Sequence, residues 1–134
     1  MVSIDEVARM AIELPDVTTG TSHGNRTWVV GRTAFAWQRP FSKADLRRFG
    51  SAPVPTGLIL AARVADLRAK EAVLAEGIRG VFTIPHFDNY PAVLIQLEVV
   101  PKRALQQLLS DAWLACVPSA VAERYSVRAR KRRK

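Results

Sequence analysis

Between Ala92 and Cys116 the spacing of the apolar residues changes from a period of two to a period of 3.6 within a few positions. From Ala92 onward Val93, Ile95, Leu97 and Val99 share one parity, which predicts a strand with a single apolar face. Pro101 then suits the first turn of a helix, where its missing N–H is not needed. Beyond it Leu105, Leu108, Leu109, Ala112, Trp113 and Cys116 recur at helical spacing, and polar residues such as Lys102, Gln106 and Ser110 take the other side. A one-faced strand running directly into a one-striped helix is half of a two-layer domain.

The remainder of the chain supplies the other half. Ser3 and Glu6 form a capping box ahead of a helix from about Ile4 to Leu14, which Pro15 stops. The Thr-, Ser- and Gly-rich segment from Asp16 to Asn25 reads as a loop. Thr27–Val30 and Thr33–Gln38, joined at Gly31-Arg32, read as an antiparallel hairpin with Phe35 and Trp37 on one face. Ser42 and Asp45 repeat the capping-box pattern for a short helix closed by Gly50. A strand from Leu58 to Val64, a helix from Asp66 to Glu76 and a short strand from Val81 to Ile84 follow. The loop Pro85–Pro91 leads into the central strand. These elements predict an α+β two-layer sandwich over residues 1–118, with an antiparallel sheet of about five strands covered by helices. The order is α-β-β-β-α-β-β-α plus one short inserted helix. Pro118 ends the last helix, and residues 119–134 are expected to form a basic, flexible tail.

A chain of 134 residues, 49% hydrophobic and 24% charged, is long enough for one real core and ordinary in composition. Its apolar runs are far too short to cross a membrane, and its acidic first residues are unlike a signal peptide. The single cysteine, Cys116, excludes an internal disulfide and reads as a small buried hydrophobe. A monomer in a reducing cytoplasm is the expectation.

The net charge of +8 is concentrated in two segments. Residues 119–134 carry Arg124, Arg128, Arg130, Lys131, Arg132, Arg133 and Lys134 against Glu123, a net +6. Residues 26–48 carry Arg26, Arg32, Arg39, Lys43, Arg47 and Arg48 against Asp45, a net +5. The rest of the chain sums to −3.

The order of elements and several motifs resemble the bacterial MmcQ/YjbR family. The likeness rests on Ala11-Ile-Glu-Leu-Pro15, on Ser22-His-Gly24 before Trp28, and on the hairpin ending at Phe35-Ala36. It continues in Val81-Phe-Thr-Ile-Pro-His-Phe-Asp-Asn-Tyr-Pro91, in Ala92 to Leu97, and in Leu105 to Trp113 with its Leu-Leu-Ser-Asp-Ala-Trp ending. It spans roughly residues 4 to 117; the long basic extension after Val117-Pro118 departs from the family's short ending. The resemblance implies helices covering one face of an antiparallel sheet, a layout shared with secretion chaperones. It also implies a DNA-binding protein with a double-wing sheet.

Catalysis finds little support in the residues. His23 and His86 are 63 positions apart without metal-ligand spacing, and the carboxylates Asp88, Glu98 and Asp111 are scattered. A loop histidine bonding backbone carbonyls is the simpler reading of each. No nucleophile elbow or phosphate-cradling glycine loop is present. The expectation is a non-enzyme without cofactor or metal. Trp28, Phe35, Trp37 and Tyr90 could stack unpaired bases, but on a half-buried sheet such rings mostly fill the core. The basic segments carry the functional reading. Arg26, Arg32, Arg39, Lys43, Arg47 and Arg48 would line a ridge along the first hairpin, and the tail's Arg128, Arg130, Lys131, Arg132, Arg133 and Lys134 would reach phosphates beyond it. The expected partner is DNA or RNA, bound largely without sequence readout. The alternatives are a protein-interaction adaptor using the sheet face and, third, a small-ligand binder or enzyme built on the His23 and His86 loops.

Overall fold

Ser3 opens α1 (Ile4–Ile12): its hydroxyl accepts from Glu6 N–H at 3.1 Å, and Glu6 Oε1 accepts from Ser3 N–H at 3.3 Å. Ser42 and Asp45 make the same reciprocal pair, at 3.1 and 2.9 Å, ahead of α2 (Lys43–Phe49). Each box satisfies two backbone donors that a helix start would otherwise orphan. The computed structural model describes residues 1–132, with side chains through Tyr125. The strands are β1 (Val17–Ser22), β2 (Asn25–Val30), β3 (Thr33–Gln38), β4 (Ile59–Arg63), β5 (Val81–Phe82) and β6 (Ala92–Gln96). The helices after α2 are α3 (Leu67–Ala75), α4 (Lys102–Cys116) and α5 (Ser119–Arg132), with a 3-10 turn at Pro85–Phe87. The fold is α+β. Its antiparallel sheet has six strands in the order β1-β2-β3-β4-β6-β5.

The sixth strand is β1, which the sequence predicts as loop. Five of its six residues, Thr18 to Ser22, are exposed, so it carries no apolar alternation to betray it. Pairing along the whole of β2, from Val17 opposite Val30 to Ser22 opposite Asn25, holds it in place.

A second correction concerns β3. Trp28 pairs with Ala36 and Val29 with Ala34, which leaves Phe35 as the extra residue of a bulge. A bulge turns two successive side chains toward the same side. Phe35 and Ala36 both enter the main core, and Trp37 therefore faces the opposite side of the sheet from Phe35.

The sheet is buried on both faces along its centre. On one face α1 and α4 cover Trp28, Phe35, Leu60, Ala62, Ile95 and Leu97. Trp113, fully buried on α4, donates its indole N–H to the Pro15 carbonyl at 2.9 Å and so ties α4 to the end of α1. On the other face Ile59, Ala61, Ala92 and Leu94 are covered by Phe87 and Ile84, with Phe41 and Phe49 from the α2 region packed against them. β6 thus has two apolar faces rather than the single one its parity suggests. Residues of alternate parity on β4 and β6 divide between the two cores, as the pleat requires.

Ser119–Arg132, expected as part of a flexible tail, form α5, and Tyr125 packs on Trp113 with ring centroids 4.9 Å apart.

Candidate functional site

The six hairpin cations do not line one ridge. Arg26 extends on the helical face, 3.2 Å from Asp5 of α1 and 5.6 Å above the Trp28 ring. Arg39 extends on the opposite face: its guanidinium lies 3.0 Å from Asp45, 5.6 Å from the centre of the Phe87 ring, and donates to the Pro40 carbonyl. Arg32 is exposed in the β2–β3 turn, at the far end of β3 from Arg39 and on the order of 20 Å from it. The bulge at Phe35, invisible in composition, is what sends the two ends of β3 to different surroundings.

Lys43, Arg47 and Arg48 do stay together, exposed on α2. Arg47 and Arg48 sit in its last turn, where a cation suits the carbonyl end of the helix. Arg48 approaches Asp45 only to 3.9 Å and keeps half its side chain in solvent. Asp45 anchors the group from below. Burial opposes its charge, but the Ser42 backbone N–H, the Ser42 hydroxyl and the Arg39 guanidinium together hold its carboxyl below the ordinary 3.8. Of the terminal cations, the side chains of Arg128, Arg130, Lys131 and Arg132 and all of Arg133 and Lys134 lie outside the described residues. The backbone of α5 carries the first four.

Beside α2 the loop face holds a feature that sequence reasoning underrates. Two hollows, of about 410 and 460 Å³, share Trp37 and Arg39 as a common wall. One reaches the loop from His86 to Tyr90, the other the β1–β2 turn at Ser22, His23 and Asn25. Around Trp37 the contacts alternate between aromatic and guanidinium. Arg63 lies 5.7 Å from Trp37 and 5.4 Å from Tyr90, whose hydroxyl it meets at 3.0 Å. Tyr90 in turn packs edge-on against Trp37 at 6.4 Å and Phe87 at 5.4 Å.

The loop from Pro85 to Pro91 is fixed from beneath by Lys70, which is only 6% exposed. Its ammonium donates to the carbonyl oxygens of Phe87 at 2.6 Å and Tyr90 at 2.9 Å. Burial pushes the Lys70 pKa below its ordinary 10.5, and the Asp88 carboxylate works against that. A lysine in a charged helix reads as solvated surface, so no sequence signal marks this role. His23 and His86 are both exposed, and among the described residues neither imidazole makes a hydrogen bond, contrary to the turn-bracing role expected of them. No cluster of three or more His, Cys, Asp or Glu suited to a metal is found among the described residues. Burial pushes the Cys116 thiol up, keeping it protonated. Among the described residues no helix is long and apolar enough to cross a membrane.

No family model matches the chain. Three mycobacterial proteins, all described as uncharacterised, are each 40% identical to it over 128 residues, covering 93% of this chain and 96% of their own length. They are Rv2570 and MT2646 of two Mycobacterium tuberculosis strains and Mb2600 of Mycobacterium bovis. The chain belongs to their family. The crystal structure of Deinococcus radiodurans protein DR2400, with its DUF419 domain, is similar with a TM-score of 0.62. The match covers 92% of this chain and 88% of that one at 18% identity, and so speaks to the shared fold alone.

Proposed function

We propose that the protein is a nucleic-acid-binding member of the MmcQ/YjbR family, holding phosphates through Lys43, Arg47 and Arg48 of α2 and through the basic helix α5. The observation that carries this reading is α5, whose backbone bears five of the seven terminal cations against one carboxylate and whose Tyr125 is packed onto Trp113. Holding phosphates from a helix anchored on the domain would cost less ordering entropy than holding them from a free arm. The sequence resemblance and the DR2400-like fold support the family reading. α2 packs on the loop face and α5 on the helical face. That arrangement suits a flexible or bent strand passing round the domain better than a straight duplex on one ridge. Binding is largely without sequence readout, and no cofactor or chemistry on the nucleic acid is required. The protein works as a cytoplasmic monomer.

With about six phosphate contacts, log affinity falls against log salt with a slope of roughly −5 on duplex and −4 on single strands. Anisotropy titration of labelled DNA at several salt concentrations tests this. A flat response, or no binding at low salt, rejects it.

A second reading has its own observation. β1 is an edge strand of six residues, without a charged side chain or a proline, and exposed from Thr18 to Ser22. Such an edge can add a partner's strand. Partners captured from a nuclease-treated lysate, and lost on Thr19→Pro substitution, would favour an adaptor.

A further inference from the structure

We infer that the groove on the loop face is a stacking site for an unpaired nucleobase, with Trp37 as its platform. This rests on the nucleic-acid reading for the source of the base, and four observations on the groove carry it. Trp37 stands in a row of paired residues running Gly20, Thr27, Trp37, Ala61 across four strands. Its flanking neighbours, Thr27 and Ala61, are small and buried, so the indole is the one large side chain of these four that the row offers to the groove. A Cβ at Gly20 would already come within 3.2 Å of Thr27 Oγ1. Both hollows fall in the range of small-molecule sites, about 300–1,000 Å³.

The walls are built rather than incidental. Among the described residues three that are not glycine have left-handed backbone, Asp16, His23 and Asn89, and the last two stand at the two lips of this groove. Such conformations persist where surrounding structure enforces them, and they gather at binding sites. At the Asn89 lip the enforcement is visible: Lys70 is buried in order to hold the flanking carbonyls of Phe87 and Tyr90. The charge is also suited to a strand. Arg39 and Arg63 are occupied with Asp45 and Tyr90, leaving the floor itself aromatic, while Lys43, Arg47 and Arg48 stand exposed on the adjoining helix. Aromatic platform beside exposed cations is the pattern that holds single strands, bases on the rings and phosphates on the rim.

Trp28 and Trp113 are wholly buried, so an external quencher such as acrylamide reports on Trp37. The test titrates an oligothymidylate and an abasic strand of equal length and charge. The site predicts that the thymidylate shields Trp37 from acrylamide and that the abasic strand does not. It also predicts tighter binding of the thymidylate, and its loss by ten- to a hundredfold in Trp37→Ala. Trp37→Phe, which keeps a ring, should retain most of the affinity, so a general unfolding effect is separated from loss of the platform. Equal affinity for both strands with Trp37 still quenchable overturns the base site while leaving phosphate binding intact. No binding of either strand overturns both.

Discussion

Arg39 Nη1 stands 3.0 Å from Asp45 Oδ2, and the Asp45 side chain is 1% exposed. This pair removes from solvent a cation that composition would count toward an anion-binding surface. It also joins the end of β3 to the start of α2. Asp45→Ala deletes the pair and half of the capping box together. The expected loss is about 2–4 kcal/mol, from an unpaired partly buried charge and a lost cap. Urea denaturation of the variant measures it; a change below about 0.5 kcal/mol would show the pair to be incidental.

The same carboxylate gives a pH dependence. Its folded-state pKa lies below the ordinary 3.8, so it releases its proton more readily folded than unfolded. Its contribution is present in full above about pH 4 and is lost as the pH falls through the depressed value. Stability of the wild type measured from pH 6 to 2 should drop faster below pH 4 than that of Asp45→Ala. Parallel curves would contradict this assignment.

Lys70→Met keeps the volume of the buried stem and removes the donor. The Phe87 and Tyr90 carbonyls then keep only their backbone donors, Tyr90 N–H at 3.0 Å and Ala92 N–H at 2.8 Å, and the lost charged bonds cost about 1–3 kcal/mol in all. Hydrogen exchange at the Phe87, Asp88 and Tyr90 amides, which close the turns of this loop, should accelerate more than exchange in β6. Uniform acceleration would assign Lys70 to global stability instead.

Tyr125→Ala tests the anchoring of α5. An aromatic pair at 4.9 Å contributes about 0.5–1.5 kcal/mol beyond the area it buries. A lower thermal midpoint, reproduced by deleting residues 119–134, supports a docked helix. Midpoints equal to the wild type would return the segment to a loose tail.

What the sequence shows and what it hides follow from how local each cause is. Both capping boxes, the β2–β3 hairpin and the α4 stripe are legible because each depends on residues a few positions apart. β1 is hidden because its stability comes from β2 and not from an apolar face of its own. The run of β-branched residues at Val17, Thr18, Thr19 and Thr21 is the one signal that could have revealed it. The face of Trp37 is hidden by the bulge at Phe35, which no parity count anticipates. Since Arg39 lies two residues beyond Trp37, the same bulge undoes the expected ridge. The buried duty of Lys70 depends on carbonyls 17 and 20 residues away, beyond the reach of any local pattern.

The exposed cations of α2 join those of α5 in meeting phosphates, and the paired arginines of the hairpin do not. Salt titrations of single-stranded DNA binding to the wild type, to the Lys43→Ala, Arg47→Ala, Arg48→Ala triple variant and to Arg26→Ala test it most directly. The expected slope is shallower by about 2 for the triple variant and within error of the wild type for Arg26→Ala. An unchanged slope in the triple variant, or a wild type that fails to bind at low salt, would contradict it.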